Sequence, residues 1–402
     1  MEMVLKDKED HLNNFKLSRL LVLVMAVASG ITVANIYYIQ PLLVKIADSF
    51  HVTQVSVGFV AMLTQIGYAL GMLIILPLAD IKEKRLLIII MLLCSACSLM
   101  LMYFSFNITV ISIASFAVGF TSVVPQLIVP FAAQLAEPRE RGKIIGTVMS
   151  GVLIGILVSR TFSGLVGEYW GWRIVYLIAA ATMIILAIFL SRLLPLCPPT
   201  SSLKYKELFK SMVSLTKSLP VLREASLNGA LMFAAFSAFW TSLVFLLESS
   251  HYHMGADAAG LFGLVGVTGA MAAPIVGRIA DKRNPKFTVG LGMIAVILSY
   301  LCFFAFGFKL WGLIIGVILL DLGVQSCQIS NQARVHALND GARNRINTVY
   351  MVSYFIGGAL GSYLGSYSYA HFEWYGVCIL GLLTQLIALV IHKNYKVKPY
   401  IG

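Results

Sequence analysis

Two charges stand where the chain can least tolerate them. Asp321 is the only acid near the middle of an apolar run, and Arg160 is the only base deep inside one; Glu248 lies at a helix end. Burying a charge in hydrocarbon is costly, so an ionisable residue inside a membrane-length segment marks function by default. Such a pair can bind and release a proton, hold a charged solute, or form a permanent structural ion pair. If motion separates the acid from the guanidinium, proton binding follows motion, so Asp321 and Arg160 are expected to couple protons to movement. Asp321, Gln325, Gln328 and Gln332 recur at i, i+4, i+7 and i+11. At about 100° per residue they lie within about 40° of Asp321's direction, on one helix face. Lipid does not tolerate such a stripe; it faces water, or it bonds to another helix. Asn35, Tyr38, Gln126, Trp240, Tyr350 and Tyr354 join Gln325 and Gln328 as the expected substrate lining. Rings offer area and amides offer orientation to a small organic solute. Asn35 and Tyr38 share a helix face with Thr32, whereas Tyr37 and Gln40 point roughly the other way.

No nucleotide-binding loop, hydrolase motif or metal-spaced His/Asp cluster occurs in the apolar runs. The expectation is a transporter with no cofactor and no metal, not an enzyme. Cys94 and Cys97 have redox spacing but fall inside an apolar helix, where small buried hydrophobes are expected.

The elements that must position these residues follow from composition. Of 402 residues, 59% are hydrophobic and only 12% charged, about half the roughly 25% usual in soluble domains. That excludes a soluble enzyme, a disordered chain and a disulfide scaffold. The apolar runs, each near the roughly 20 residues needed to cross a bilayer, read as twelve spans. The net charge of +12 is a topology signal. Apart from Lys45, Arg160, Arg173 and Lys309, every Lys and Arg falls in the tails or in the loops after even-numbered spans. The positive-inside rule then places both termini in the cytoplasm, with the lipid bilayer as partner and no nucleic acid. The expected parts are a cytoplasmic N-tail (1–17), a first bundle (18–194), a cytoplasmic linker with a surface helix (195–225), a second bundle (226–392) and a C-tail (393–402).

The halves overlay at an almost constant offset. Ala79-Asp80 falls on Ala280-Asp281, Gln126 on Gln328, Arg141 on Arg343, Gly155 on Gly357 and Trp172 on Trp374. A duplicated six-helix unit keeps its orientation, which predicts two parallel repeats around a central cavity.

The segment after span 2, Leu76-Pro-Leu-Ala-Asp80-Ile-Lys82-Glu-Lys84-Arg85, and its copy Gly277-Arg-Ile-Ala-Asp281-Lys282-Arg-Asn-Pro-Lys286 resemble the loop signature of the major facilitator superfamily. Ala34-Asn-Ile-Tyr-Tyr-Ile-Gln-Pro41, Gly171-Trp-Arg173 and Tyr350-Met-Val-Ser-Tyr-Phe-Ile-Gly-Gly358 resemble its bacterial twelve-span efflux branch. Two positions depart from that branch: Ser115 replaces the arginine of span 4, and Ile156 follows Gly155 where a proline is usual. The resemblance implies an all-α integral membrane fold, twelve transmembrane helices in two pseudo-symmetric six-helix bundles. It implies export of a drug-like compound or metabolite by alternating access and proton antiport, from a monomer in a bacterial inner membrane. Proton symport or facilitated uptake is the alternative, and a membrane-embedded enzyme or sensor a distant one. It also implies a cytoplasmic latch drawn from Asp80, Arg85, Arg141, Asp281, Lys286 and Arg343. Finally, it makes the small-residue faces Gly151/Gly155/Ser159, Gly358/Gly361/Gly365 and Gly67/Gly71 the contacts between halves.

Overall fold

The computed structural model describes residues 17–137, 139–196, 205–281, 285–339 and 342–395, without the side chains of 270 and 272–281. The expected tails fall largely outside the described residues, as does 197–204 of the expected linker. What is described is helical, and no strand occurs among the described residues.

Span 1 starts as the helix Arg19–Ala34, loosens into turn at residues 35–39, and resumes as the 3-10 turn Gln40–Leu42 and the helix Leu43–Phe50. Pro41 enforces the interruption, since it has no N–H to continue an α-helical ladder. Span 2 is Gln54–Ile81, opened by the Thr53 hydroxyl, which accepts from the Ser56 N–H at 3.3 Å. Span 3 is Lys84–Tyr103. Span 4 runs as Ile108–Thr121 and Val124–Leu135, spans 5 and 6 as Arg141–Tyr169 and Trp172–Leu193. A surface helix, Tyr205–Ser218, precedes span 7, which begins at Pro220 and ends at Leu247. Spans 8, 9 and 10 are Ala256–Asp281, Pro285–Phe306 and Leu310–His336. The last helical stretch, Arg343–Asn394, is two spans joined across a non-helical residue, Glu373. Among the described residues nine helices are long and apolar enough to cross a bilayer. With the break at Glu373, the interrupted span 1 and the 26-residue span 8, the spans number twelve.

The duplication is written in the backbone as well as in the sequence. Among the described residues four have a left-handed φ, and they form two pairs at an offset of 202. His51 (φ 52°) matches His253 (φ 51°), each in the turn beyond the first span of its half. Gly171 (φ 87°) matches Glu373 (φ 51°), each just before the tryptophan that begins the last span. Glycine adopts this conformation freely; Glu373 adopts it under strain, held by the buried Trp374, whose indole donates to the Phe303 carbonyl at 3.1 Å.

Packing follows the small residues, and it corrects the expectation for the glycine faces. A Cβ on Gly151 or Gly155 would collide with the span 1 backbone at Ala26 and Gly30. Gly361 and Gly365 meet Ala234 and Ala238 of span 7, and Gly67 and Gly71 meet Phe116 and Phe120 of span 4. The Ser159 hydroxyl donates to the Ile156 carbonyl on its own helix. These faces therefore build each half from within, because a rigid bundle needs its closest backbone approaches inside itself. Only Gly358 of the expected set reaches across, to Gln65 of span 2.

The halves meet along two seams, span 2 against span 11 and span 5 against span 8. In the first, Gly58 abuts Ser362 and Ser366, Gln65 donates to the Ser362 hydroxyl at 2.7 Å, and the Tyr68 and Phe355 rings lie 4.5 Å apart. In the second, a Cβ on Gly260 would stand 2.7 Å from the Arg160 carbonyl oxygen and 3.1 Å from the Gly164 Cα. The Thr161 hydroxyl donates to the Gly260 carbonyl at 2.9 Å.

Candidate functional site

Arg160 sits on the span 5 side of the second seam and is wholly buried, with 0% of its surface exposed. Its Nε donates to Gln40 Oε1 at 2.8 Å. The guanidinium lies over the Trp240 ring, 4.1 Å from its centroid, with Tyr37 at 5.0 Å and Phe236 at 5.4 Å. A stack of this kind holds the cation without consuming its N–H groups. Among the described residues, neither terminal nitrogen, Nη1 or Nη2, makes a hydrogen bond, and neither does the Trp240 indole N–H.

Asp321 projects from span 10 and is 1% exposed. Its carboxylate packs on Gly266 of span 8, where a Cβ would stand 3.1 Å from Oδ2. Among the described residues, neither carboxylate oxygen has a hydrogen-bond partner. The acid and the guanidinium are near enough for each charge to act on the other, yet farther apart than the 4.0 Å of an ion pair. Span 8 sets this spacing. Gly260 and Gly263 press on the Arg160 backbone and Cβ, and Gly266, on the same face, presses on Asp321. Two opposite charges from opposite halves thus lie within electrostatic reach of each other without touching.

The other expected lining residues divide. Tyr354 stacks on Phe233 with ring centroids 4.1 Å apart, and Phe233 continues through Phe236 to Trp240. Tyr38 packs on Phe162 at 5.7 Å. Tyr350 donates to Gln328 Oε1 at 2.6 Å, and the amides of Gln328 and Gln332 reach Met351 Sδ at 3.5 and 3.6 Å. That end of the glutamine stripe ties span 10 to span 11. Gln325 is half-buried and makes no hydrogen bond among the described residues. Gln126 donates to the Tyr68 hydroxyl at 3.4 Å. Asn35 turns into the first half, its amide reaching Ser95 and Ser122, each at 3.3 Å.

The end of the molecule that carries the termini holds the expected latch residues. Asp80 accepts a hydrogen bond from the Asn344 side chain, with the charges of Lys84 and Arg345 beside it. Asn344 and Arg345 belong to span 11, so this contact joins the halves. Arg85 donates to the Ser191 carbonyl and Arg141 to the Ala136 carbonyl, both within the first half. Lys286 donates to the Tyr395 carbonyl at 2.8 Å. Arg343 opens the helix of span 11 next to Asn344. The side chain of Asp281 lies outside the described residues.

At the opposite end, Lys45 pairs with Glu168 at 3.1 Å, and Glu168 accepts from the Ala256 N–H at 2.9 Å, the first residue of span 8. Glu248, one residue beyond the helix of span 7, joins this group. Burial pushes its carboxyl up to about 7, against the pull of Lys45 and with a further push from Asp48 and Glu168.

Three features escape a helical-wheel reading. Gln40 and Tyr37 complete the Arg160 niche beside Trp240 and Phe236; the signal for Gln40 was the adjacent Pro41. Gln65 bridges to Ser362 across the first seam. Glu224, buried in span 7, pairs with Arg334 of span 10 and with His392 Nδ1 of span 12 at 2.8 Å, while His392 Nε2 meets the Lys286 carbonyl at 3.0 Å.

The sequence model of the Major Facilitator Superfamily matches residues 25–339. The "Putative uncharacterized transporter YgaY" of Escherichia coli K12 is 40% identical over 378 residues, covering 94% of this chain and 96% of that one. The "Probable sugar efflux transporter" of Helicobacter acinonychis is 25% identical, covering 87% and 88%. Among solved structures, the nucleoside transporter NupG superposes with a TM-score of 0.73 at 13% identity, over 93% of this chain and all of that one. That likeness is one of fold.

Proposed function

The chain belongs to the major facilitator superfamily, a multi-pass membrane transporter, and from that premise we propose that it exports a small organic solute by alternating access in exchange for protons. One observation carries the reading: Asp321 and Arg160, buried, from opposite halves, and neither satisfied by the other. An acid in that position changes its partner whenever the halves move, so its proton occupancy changes with conformation. Asp321 is the group that takes and gives the proton. Arg160 is the fixed charge that favours proton release when it draws near. Trp240, Tyr354 and Gln325 contact the solute. Asp80 with Asn344 closes the basic end, and Glu168 with Ala256 closes the opposite end.

The basic end faces the cytoplasm of a bacterial inner membrane, by the distribution of Lys and Arg. Export over uptake is supported by the efflux named for the Helicobacter relative. The test is flux in proteoliposomes holding the purified chain, with an imposed pH gradient and a panel of dyes, antibiotics and sugars. The wild type should move at least one compound down the proton gradient's drive. Asp321→Asn should abolish that drive while leaving the chain folded, as its melting temperature would show. Equal gradient-driven flux in the variant would remove Asp321 from the coupling.

A further inference from the structure

We propose that the space between Arg160 and Asp321 is a clasp for a compact zwitterion, an α-amino acid or a close analogue, with its carboxylate on the guanidinium and its ammonium on the aspartate. The inference rests on the carrier reading above and names the solute class for that same site.

The geometry of Arg160 carries the first half of the argument. Gln40 takes Nε and leaves the two terminal nitrogens side by side. That fork matches the two oxygens of a carboxylate, and a point-charge ammonium could not present it. The Trp240 stack fixes the plane of the fork. The second half comes from Asp321. Its two free oxygens can only accept when ionised, and they call for a donor-rich cation.

Charge balance decides between solute classes. The two groups carry one positive and one negative charge, stand more than 4.0 Å apart, and both are buried with unpartnered polar atoms. A simple cation satisfies the aspartate and leaves the guanidinium bare; a simple anion does the reverse. An uncharged polyol offers hydrogen bonds but no charge to either pole. A molecule carrying both charges a few bonds apart satisfies both groups and leaves the site neutral. Trp240, Phe236 and Phe233 would pack its side chain, which favours apolar or aromatic amino acids. The same carboxylate then receives either the solute's ammonium or a proton, so loading one expels the other.

Ligand binding to the purified full chain in detergent tests this apart from transport. The probes are L-phenylalanine, 3-phenylpropanoate, which lacks the ammonium, 2-phenylethylamine, which lacks the carboxylate, and glucose; further α-amino acids extend the panel. Phenylalanine or another apolar amino acid should raise the melting temperature and bind at least about 10-fold tighter than either single-charge analogue, since a charge-assisted hydrogen bond is lost in each. Asp321→Asn should shift the preference toward 3-phenylpropanoate. Arg160→Gln should shift it toward 2-phenylethylamine. These opposed shifts are what general unfolding would not produce. The clasp is wrong if no α-amino acid in the panel binds, if the single-charge analogues bind as well as the amino acid, or if both variants weaken all probes alike. Proton-driven flux of some other compound alongside such a result would leave the carrier reading standing. Amino-acid binding without any flux would sink the carrier reading instead.

Discussion

At the scale of single residues, burial without a partner is the theme, and Glu248 gives it a measurable form outside the spans. Its carboxyl ordinarily titrates near 4.5 and is pushed up to about 7 in the folded chain. Below 4.5 it is neutral folded or unfolded, so it makes no difference to stability. As the pH rises through that window the unfolded chain ionises first, and stability falls until about 7, above which the penalty is constant. Lys45, Asp48 and Glu168 are the charges around it. Glu248→Gln should therefore match the wild type in melting temperature at the acid end and exceed it above pH 7. A constant offset across the range would show that its protonation is not what matters. Arg160 and Asp321 were legible from sequence because a charge in an apolar run needs no geometry to be noticed. Gln40 and Tyr37 were not. The wheel that set them opposite Asn35 assumes an unbroken helix, and the chain unwinds at residues 35–39. Past a break, 100° per residue no longer holds. Glu224 was missed because it lies four residues into a span that begins earlier than its apolar run.

At the scale of elements, glycine position decides which surfaces are welded and which can part. The i, i+4 glycines of spans 5 and 11 were readable as close-packing faces, but sequence alone does not say which neighbour they pack. The structure assigns them to spans 1 and 7 of their own halves, and places Gly164, Gly260 and Gly263 at the close span 5–span 8 contact between the halves. Gly260→Val should therefore leave each half folded and push span 8 away from span 5, because the added Cβ would meet backbone atoms that cannot yield. Spin labels at Trp170 and Ser250, both exposed at the opposite end, should report a longer distance in this variant. An unchanged distance would mean that the seam tolerates side chains and is not a tight closure.

At the scale of the whole molecule, one folding unit used twice has kept its backbone and diverged in its seams. Arg160 of span 5 corresponds to Ser362 of span 11 at the offset of 202. The first is a desolvated cation; the second is a hydroxyl satisfied by Gln65 and Thr241. The span 5–span 8 seam therefore carries an unsatisfied cation where the span 2–span 11 seam carries a hydrogen-bonded hydroxyl. The surface helix adds a tie at the basic end. Tyr205 donates to the Ile74 carbonyl of span 2 and Arg345 of span 11 donates to Ser211, so it touches both halves at that end. Helix number, duplication and the membrane class were legible because composition and periodicity report them directly. The asymmetry of the seams was not, since it depends on which side chains meet across the repeat.

If the two ends open alternately under control of a proton on Asp321, distances across both ends must change in opposite senses. Labels at Arg139 and Asn339 span the basic end, and labels at Trp170 and Ser250 span the opposite end; all four positions are exposed. A pH titration of the wild type should lengthen one distance while it shortens the other, with a shared midpoint, and Asp321→Asn should hold both fixed. Distances that change together, or that respond equally to pH in the variant, would contradict the account.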